Sequence, residues 1–172
     1  MQMNLRSLLR TWLVVACALW LTACGYQLRQ APDFAFTSFY STAPRTSMLV
    51  EELKRNLVAT GKVRVLTEAR EMATAQVVLD VLTDQREKVV VGINAAGQVT
   101  EFQLRLRLRF KLRTPQGKEL IPETEILQQR EISFSESAVL AKEGEEQLLY
   151  RDMQSDIVLQ LMRRLAAVRQ ID

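Results

Sequence analysis

The chain has 172 residues, a length that suits one ordinary domain, with 23 Lys and Arg against 20 Asp and Glu, 48% apolar residues, two Cys and no His. Without His, the chain has neither the base of a Ser–His–Asp or Cys–His catalytic site nor the commonest ligand of zinc, copper and haem. The composition therefore excludes the standard nucleophilic hydrolases and the His-ligated metal sites.

The first 23 residues have the organisation of a secretory signal peptide. Arg6 and Arg10 form a positive start, an uncharged apolar stretch covers 11–23, and small residues follow it. A transmembrane anchor is the alternative, because no charge lies between Arg10 and Arg29. Those 18 residues are at the lower limit for crossing a bilayer, and their last third is not strongly apolar. We therefore predict that residues 1–23 are removed.

The end of this stretch, Leu21-Thr22-Ala23-Cys24, resembles the lipobox of bacterial lipoprotein precursors. The resemblance implies cleavage between Ala23 and Cys24, a diacylglyceryl group on the Cys24 thiol and an acyl group on the new amino terminus. Several acyl chains on one cysteine hold a protein to a membrane far more firmly than a single chain does. Cys17 is the other cysteine and leaves with the signal peptide, so no internal disulfide is expected.

Removal of residues 1–23 takes away two Arg and no acid, which leaves a nearly neutral chain of net charge 21 − 20 = +1. The high isoelectric point of the whole chain is therefore no argument for a nucleic-acid partner. We expect a lipidated tether over 24–33 and a single domain over 34–172. Gly25, rather than Asp, follows the anchor, which in lipoproteins of this type indicates sorting to the outer membrane.

Turn residues and apolar periodicity divide the domain into strands and helices. The first elements in chain order are an opening strand at 34–40, a helix from N-cap Ser47 to Gly61, a short strand at 62–66 and a polar connection at 68–74. A β-branched stretch follows at 75–91, with a polar break at 83–88, and then a turn at 94–97. The last elements are a strand at 101–113, a return strand at 118–134 and a helix from Gly144 to about 168. We expect an α+β fold, a two-layer sandwich of two amphipathic helices packed on a mixed, mainly antiparallel four-stranded sheet.

The strand at 101–113 alternates without interruption and puts a row of cations on one face. This cationic ladder consists of Arg105, Arg107, Arg109, Lys111 and Arg113. One interpretation is a docking surface for phosphate or carboxylate groups, and the other is a solvated face balanced by glutamates. Because no stacking aromatics share this face, no nucleic acid is expected as a partner. Asp80, Asp84 and Glu87 match no metal-binding loop, so no metal site is expected.

Glutamates of the return strand indicate how it pairs with the ladder. A register in which paired residue numbers sum to 230 joins charges to charges and apolar residues to apolar residues. Its charged pairs are Lys111 with Glu119, Arg107 with Glu123, and Arg105 with Glu125. In this register Arg109 faces Ile121 without an acid partner. The apolar parity changes beyond Leu127, which predicts a β-bulge there.

Three segments in order carry a family resemblance. They are Cys24-Gly25-Tyr26-Gln27-Leu28-Arg29, Gly97-Gln98-Val99-Thr100-Glu101-Phe102-Gln103, and Leu140-Ala141-Lys142-Glu143 followed by Glu146-Gln147. Together with the order of elements, they resemble the LptE (RlpB) family of lipopolysaccharide-assembly lipoproteins over essentially the whole mature chain. No one segment is specific alone, but their order and spacing together are fairly specific.

The resemblance implies a non-enzymatic protein whose only non-protein group is the covalent lipid on Cys24. It implies a one-to-one complex with the outer-membrane β-barrel LptD, as its plug and assembly partner, and binding of lipopolysaccharide on its way to the outer leaflet. The expected location is the cell outer membrane, lipid-anchored, on the periplasmic side and within the barrel. The alternative function is a periplasmic lipid or lipoprotein carrier anchored to the outer membrane.

The resemblance also suggests where lipopolysaccharide is contacted. By position, Lys142 matches a basic residue of the family implicated in that contact. At the preceding turn, Ala95 stands where some members have a basic residue, which shifts the expected contact away from the turn. The candidates for lipopolysaccharide contact are Lys142, Arg105, Arg107, Arg109 and Lys111.

Overall fold

The amino-terminal part of the domain forms a parallel unit around one helix. In this computed structural model, which describes residue 12 and residues 32–171, strand β1 (Ser38–Ser41) leads into helix α1 (Met48–Ala59) and then into strand β2 (Arg64–Leu66). β1 and β2 pair in parallel. The helix begins where predicted, because the Oγ of Ser47 accepts a hydrogen bond from the backbone N–H of Val50 at 3.2 Å.

After β2, a 3₁₀ helix (Ala69–Thr74) carries the chain to three long strands. These are β3 (Val77–Ile93), β4 (Val99–Arg113) and β5 (Glu119–Ser133). β1 lies parallel to β3, whereas β3–β4 and β4–β5 are antiparallel, and the sheet order is β2-β1-β3-β4-β5. The described chain therefore has a mixed sheet of five strands, one more than the expected four, because the three-residue β2 pairs at its edge.

Both α-helices cover one face of this sheet. A short 3₁₀ turn (Glu136–Ala138) leads into α2 (Val139–Ala167), the longest helix of the described chain. The main core joins both helices to the apolar face of β4, and its members are fully or almost fully buried. They include Leu49, Leu53 and Leu57 of α1, Met153, Ile157, Leu161 and Leu165 of α2, and Leu104, Leu106, Leu108, Phe110 and Leu112 of β4. The predicted α+β two-layer fold is confirmed.

A smaller core lies on the opposite face of the sheet. Leu66, Ala75 and Val78 are buried there, with Tyr40 and Met72 packed against them. Met72 belongs to the 3₁₀ helix, so that segment covers this end of the second face. The remainder of the second face, along β3, β4 and β5, carries the ladder and no helix of the described chain.

Helix α2 begins at Val139, and the predicted start at Gly144 is wrong. Glycine weakens a helix interior, so the sequence pattern indicates a boundary at this residue. The structure continues through it because side chains on both sides of Gly144 are held by the sheet: Lys142 donates to Ser133 Oγ at 2.9 Å, and Glu146 accepts from Lys88 at 2.7 Å. The first turn of α2 contains no acidic residue.

Strand β3 is continuous, and the predicted polar break at 83–88 is wrong. Its polar residues on the helix-covered face each find a partner in the helical layer. Asp84 accepts from Ser47 Oγ at 2.5 Å, Arg86 donates to Gln154 at 3.1 Å, and Lys88 donates to Glu146 at 2.7 Å. These three residues are exposed, and their hydrogen bonds to the helical layer hold the strand there without apolar side chains, which hydrophobic periodicity alone does not reveal.

The predicted β4–β5 register is also wrong along the whole length of the pairing. Arg109 lies opposite Glu125, and Arg107 lies opposite Leu127, so the paired numbers sum to 234 rather than 230. The irregularity lies near the turn, between the Phe110 and Arg113 pairings, and not beyond Leu127. Pro122 falls within this interval and has no N–H to donate to a neighbouring strand, which favours a bulge there. The bulge shifts β5 against β4.

The amino-terminal predictions fall mostly outside the described residues. Apart from residue 12, the predicted signal peptide lies there, as do Ala23, Cys24 and the tether up to residue 31. Cleavage and lipidation therefore stay predictions. From Pro32 onward the chain forms one compact unit. None of the helices in residues 12 and 32–171 combines the length and the hydropathy needed to cross a membrane.

Candidate functional site

The cationic ladder lies on the sheet face that the helices leave open, and most of its cations have a carboxylate partner. The pairs are Arg107 with Glu125 at 2.9 Å, Arg109 with Glu123, Lys111 with Asp80 at 3.9 Å and Arg113 with Asp80 at 2.7 Å. Arg113 holds Asp80 through two nitrogens, because Nη2 also donates to it at 3.2 Å. Within residues 32–171, Arg105 is the ladder cation without an ion pair, and its Nε donates to Gln103 at 2.7 Å.

Arg109 shows how the register changes the electrostatics of this face. The predicted register left it without an acid, but in the structure it donates a hydrogen bond to Glu123. That hydrogen bond and the charge of Glu123 hold the pKa of Arg109 above its ordinary value. Most of the ladder is therefore a balanced face, and Arg105 is its most available cation for an anionic ligand.

Lys142 lies on the other side of the sheet from the ladder, near the start of α2. Its Nζ donates to Ser133 Oγ at 2.9 Å and to Glu145 at 2.8 Å. Ser133 is the last residue of β5, so this lysine joins the helix to the end of the sheet. The structure consequently does not bring Lys142 and the ladder together into one site.

A second lysine stands beside Lys142. Both Lys88 and Lys142 line a cavity of about 70 Å³, which we name the lysine pocket. Its other lining residues are Phe102, Ile132, Ser133, Phe134, Val139, Glu143 and Glu146. Lys88 donates to Glu146 at 2.7 Å and places its Nζ 4.3 Å from the centre of the Phe102 ring. Phe134 packs edge-on against Phe102, with 5.2 Å between ring centres, and fixes that ring.

Sequence reasoning missed Lys88, because it lies in the polar run that was interpreted as a break in the strand. In the structure Lys88 pairs with Leu104 and Val90 pairs with Phe102, so both share the helix-covered face with these two residues. Alternation continued from Leu79 and Val81 would have placed Lys88 on the opposite face, and the irregularity between Val81 and Thr83 brings it to the helix-covered face.

Exposed apolar side chains lie near the lysine pocket, at the far end of the β3–β4 hairpin and at the start of α2, and Val139 lines the pocket itself. This apolar tip consists of Val90, Val91, Ile93, Val139 and Leu140. Leu140 is 83% exposed and Ile93 is 63% exposed, values that a packed core residue does not have. Cations beside exposed apolar surface match an amphiphile with an anionic head, since each part of such a ligand finds its own partner.

The chemistry of the site does not include a metal centre. In the part of the chain that the structure describes, no group of three or more Cys, Asp or Glu side chains is arranged to hold a metal ion. Tyr150, next to the lysine pocket, has its pKa raised above 10.0, chiefly by burial and also by the charge of Glu146. It therefore stays neutral near pH 7 and donates to the backbone carbonyl of Glu87 at 2.6 Å.

Comparison with known protein families identifies the chain. The sequence profile described as LptE, lipopolysaccharide-assembly, matches residues 36–165, which is most of the chain. The chain belongs to the LptE family. The resemblance seen in the sequence is thereby confirmed. A separate comparison with curated protein sequences finds no match.

Solved structures of similar fold support the LptE assignment. Uncharacterized lipoprotein B from Nitrosomonas europaea is 30% identical with a TM-score of 0.70, covering 83% of this chain and 91% of that one. A minor lipoprotein from Acinetobacter baumannii is 19% identical with a TM-score of 0.61, covering 78% and 94%. The rare lipoprotein B from Shewanella oneidensis is 24% identical with a TM-score of 0.55, covering 74% and 92%. The last two show the shared fold.

Membership of the LptE family settles the general function. The protein is a non-enzymatic lipoprotein of lipopolysaccharide assembly, it uses no cofactor, and it is associated with the outer membrane. The non-enzymatic role and the lipoprotein nature that the resemblance implied agree with this family.

Proposed function

We propose that this LptE-family protein binds lipopolysaccharide through the lysine pocket and the apolar tip. The observation that supports this most is the joint position of Lys88 and Lys142 on one cavity, bordered by exposed side chains of β3 and α2. The lysines provide charge-assisted donors for lipid phosphates, and the tip provides a surface for the start of the acyl chains. The predicted contact at Lys142 is kept, and Lys88 is added to it.

The ladder contributes a second, separate candidate surface for phosphate groups. Among its members, Arg105 needs no acid to be displaced before it binds an anion, whereas Arg107, Arg109 and Lys111 each do. We therefore rank Arg105 first among the ladder contacts. The other three are expected to contribute less, because a bound phosphate must compete with an existing carboxylate partner.

The same proposal includes the anchor and the barrel. Cys24 carries the lipid and holds the protein at the periplasmic side of the outer membrane, and the body forms a one-to-one plug within an LptD-type β-barrel. It helps this barrel assemble and helps insert lipopolysaccharide into the outer leaflet. The family profile supports this placement, as does a nearly neutral body of 149 residues remaining after the predicted cleavage.

Charge reversal tests the lipid contact. Lys88→Asp and Lys142→Asp are each expected to weaken binding of purified lipopolysaccharide to the immobilised protein by about tenfold or more, since each removes a charge-assisted contact and adds a repulsion. Lys62→Asp is the matched control, because Lys62 also pairs with an acid, Asp33 at 2.9 Å, but lies away from the tip. Unchanged binding in both pocket variants, with the fold retained, would refute this part of the proposal.

Co-purification tests the anchor and the barrel. Capture of the protein from detergent-solubilised outer membranes is expected to recover one large β-barrel protein in equal amount. Cys24→Ala is expected to remove the lipid, seen as a loss in intact mass, and to reduce that recovery. Recovery of no barrel with the acylated protein would show that the plug assignment is wrong.

The alternative of a lipid carrier requires a cavity lined by apolar side chains for acyl chains. Three surface cavities in the described chain have volumes of about 590, 520 and 70 Å³, and charged residues contribute to the lining of each. Nothing in these linings favours the carrier over the lipopolysaccharide-binding plug.

A further inference from the structure

The largest of these cavities lies far from the lysine pocket, at the carboxyl ends of β1 and β2. Its volume is about 590 Å³, within the usual range for small-molecule sites. Tyr40 and Ser41 of β1 line it, as do Leu66, Thr67 and Glu68 at and after the end of β2. Ser41 pairs with Leu79 in β3, fourteen residues before Ile93, which is about 45 Å along the strand. This crevice is therefore independent of the proposed lipopolysaccharide contact.

The chain topology explains why a crevice forms here. After β1 the chain enters α1, whose Leu53 and Leu57 pack in the main core on one face of the sheet. After β2 it enters the 3₁₀ helix, whose Met72 packs with Leu66 on the opposite face. The two adjacent parallel strands thus send their connections to opposite sides, and open α/β sheets bind ligands at such reversals.

The walls of the crevice present paired charges of both signs. At the mouth, Arg45 from the segment before α1 lies 3.9 Å from Glu68, which follows β2. Deeper, the Nζ of Lys54 lies 2.8 Å from Glu51, and the lysine side chain is only 14% exposed. The Arg45–Glu68 pair is long and exposed, so it separates at little cost when a ligand offers each partner a better one.

We propose that this crevice binds a small zwitterion, with its anionic end held by Lys54 and Arg45 and its ammonium group held by Glu51 and Glu68. A purely anionic ligand would give only the cations a better partner, and a purely cationic ligand would do so only for the acids. Phosphoethanolamine-type headgroups and free amino acids share this chemistry.

A nuclear magnetic resonance titration of the ¹⁵N-labelled, full-length protein in detergent tests the site. The probes are O-phosphoethanolamine and β-alanine, with inorganic phosphate and ethanolamine as single-charge controls. Saturable shifts of the amide signals of 66–69 are expected with at least one zwitterion, at least about tenfold tighter than with either single-charge compound. Tighter binding of phosphoethanolamine identifies a headgroup as the ligand source, and tighter binding of β-alanine identifies free amino acids.

Two substitutions separate the site from a general charge effect. Lys54→Gln and the more exposed Glu68→Gln are each expected to weaken zwitterion binding by about fivefold or more, because each removes one charged contact. Lys62→Gln, which leaves the crevice lining intact, is expected to change nothing. Absence of saturable shifts, equal binding of inorganic phosphate, or full binding by the folded Glu68→Gln variant would overturn the proposal. None of these results depends on lipopolysaccharide binding.

Discussion

Glu146 offers a test of the lysine pocket in which the sign of the effect is diagnostic. In the structure it accepts a hydrogen bond from Lys88 at 2.7 Å, and a lipid phosphate bound to Lys88 as proposed would compete with it for this lysine. Glu146→Gln removes the negative charge and leaves Lys88 above the Phe102 ring, 4.3 Å from its centre. If Lys88 contacts the lipid, this loss of an acidic residue is expected to tighten binding of lipopolysaccharide.

The expected increase in lipopolysaccharide affinity follows from how exposed the Lys88–Glu146 ion pair is. The two side chains are 38% and 23% exposed, and ion pairs near a surface contribute about 0.5 to 1 kcal/mol. Because a factor of ten corresponds to about 1.4 kcal/mol, the dissociation constant is expected to fall about two- to fivefold. Surface plasmon resonance on the immobilised protein measures this change.

A matched control separates this effect from a general gain of positive charge. Asp33→Asn also neutralises an acid that pairs with a lysine, here Lys62 at 2.9 Å, but away from the lysine pocket. It is expected to leave the dissociation constant unchanged. Weaker binding by Glu146→Gln, or an equal gain in both variants, would refute the competition between Glu146 and the lipid.

Four further substitutions test stability and are measured by chemical denaturation. Gly92→Ala is expected to destabilise the protein by about 1 to 3 kcal/mol, because a Cβ there would lie 2.8 Å from the Cβ of Glu101. Gly144→Ala has open space around it and is expected to stabilise α2 by about 0.5 to 1 kcal/mol. Equal effects of the two substitutions would contradict the close approach of Gly92 to Glu101. Leu108→Ala is expected to cost about 2 to 5 kcal/mol, and a loss under 1 kcal/mol would show a loosely packed core. Ser47→Ala removes the cap of α1 and is expected to cost about 1 kcal/mol, whereas no loss would deny the cap a stabilising role.

Local patterns in the sequence predicted the elements whose apolar residues follow one period. The alternation of β4 and the Ser47 cap are examples, and both are confirmed. The continuity of β3 and the start of α2 were not predicted, because they depend on pairs between distant segments such as Lys88 with Glu146. Propensity and periodicity depend on residues close together in sequence, so they do not predict contacts between distant segments.

The register of β5 was missed for a related reason. Matching charges directly across two strands is a sound rule in a regular ladder, but the bulge near Pro122 makes the ion pairs diagonal, as for Arg107 with Glu125. The same misassignment left Arg109 without a partner. Lys142 was singled out by family resemblance, whereas its neighbour Lys88 required the structure, since 54 residues separate the two in sequence.

Photo-crosslinking at the apolar tip tests the central claim most directly. A photoreactive amino acid at position 140, where Leu140 is 83% exposed, is compared in living cells with one at position 58, where Val58 of α1 is 56% exposed. We expect a lipopolysaccharide adduct from position 140 and none from position 58. An adduct from position 58 with none from position 140 would contradict lipopolysaccharide binding at this end of the molecule.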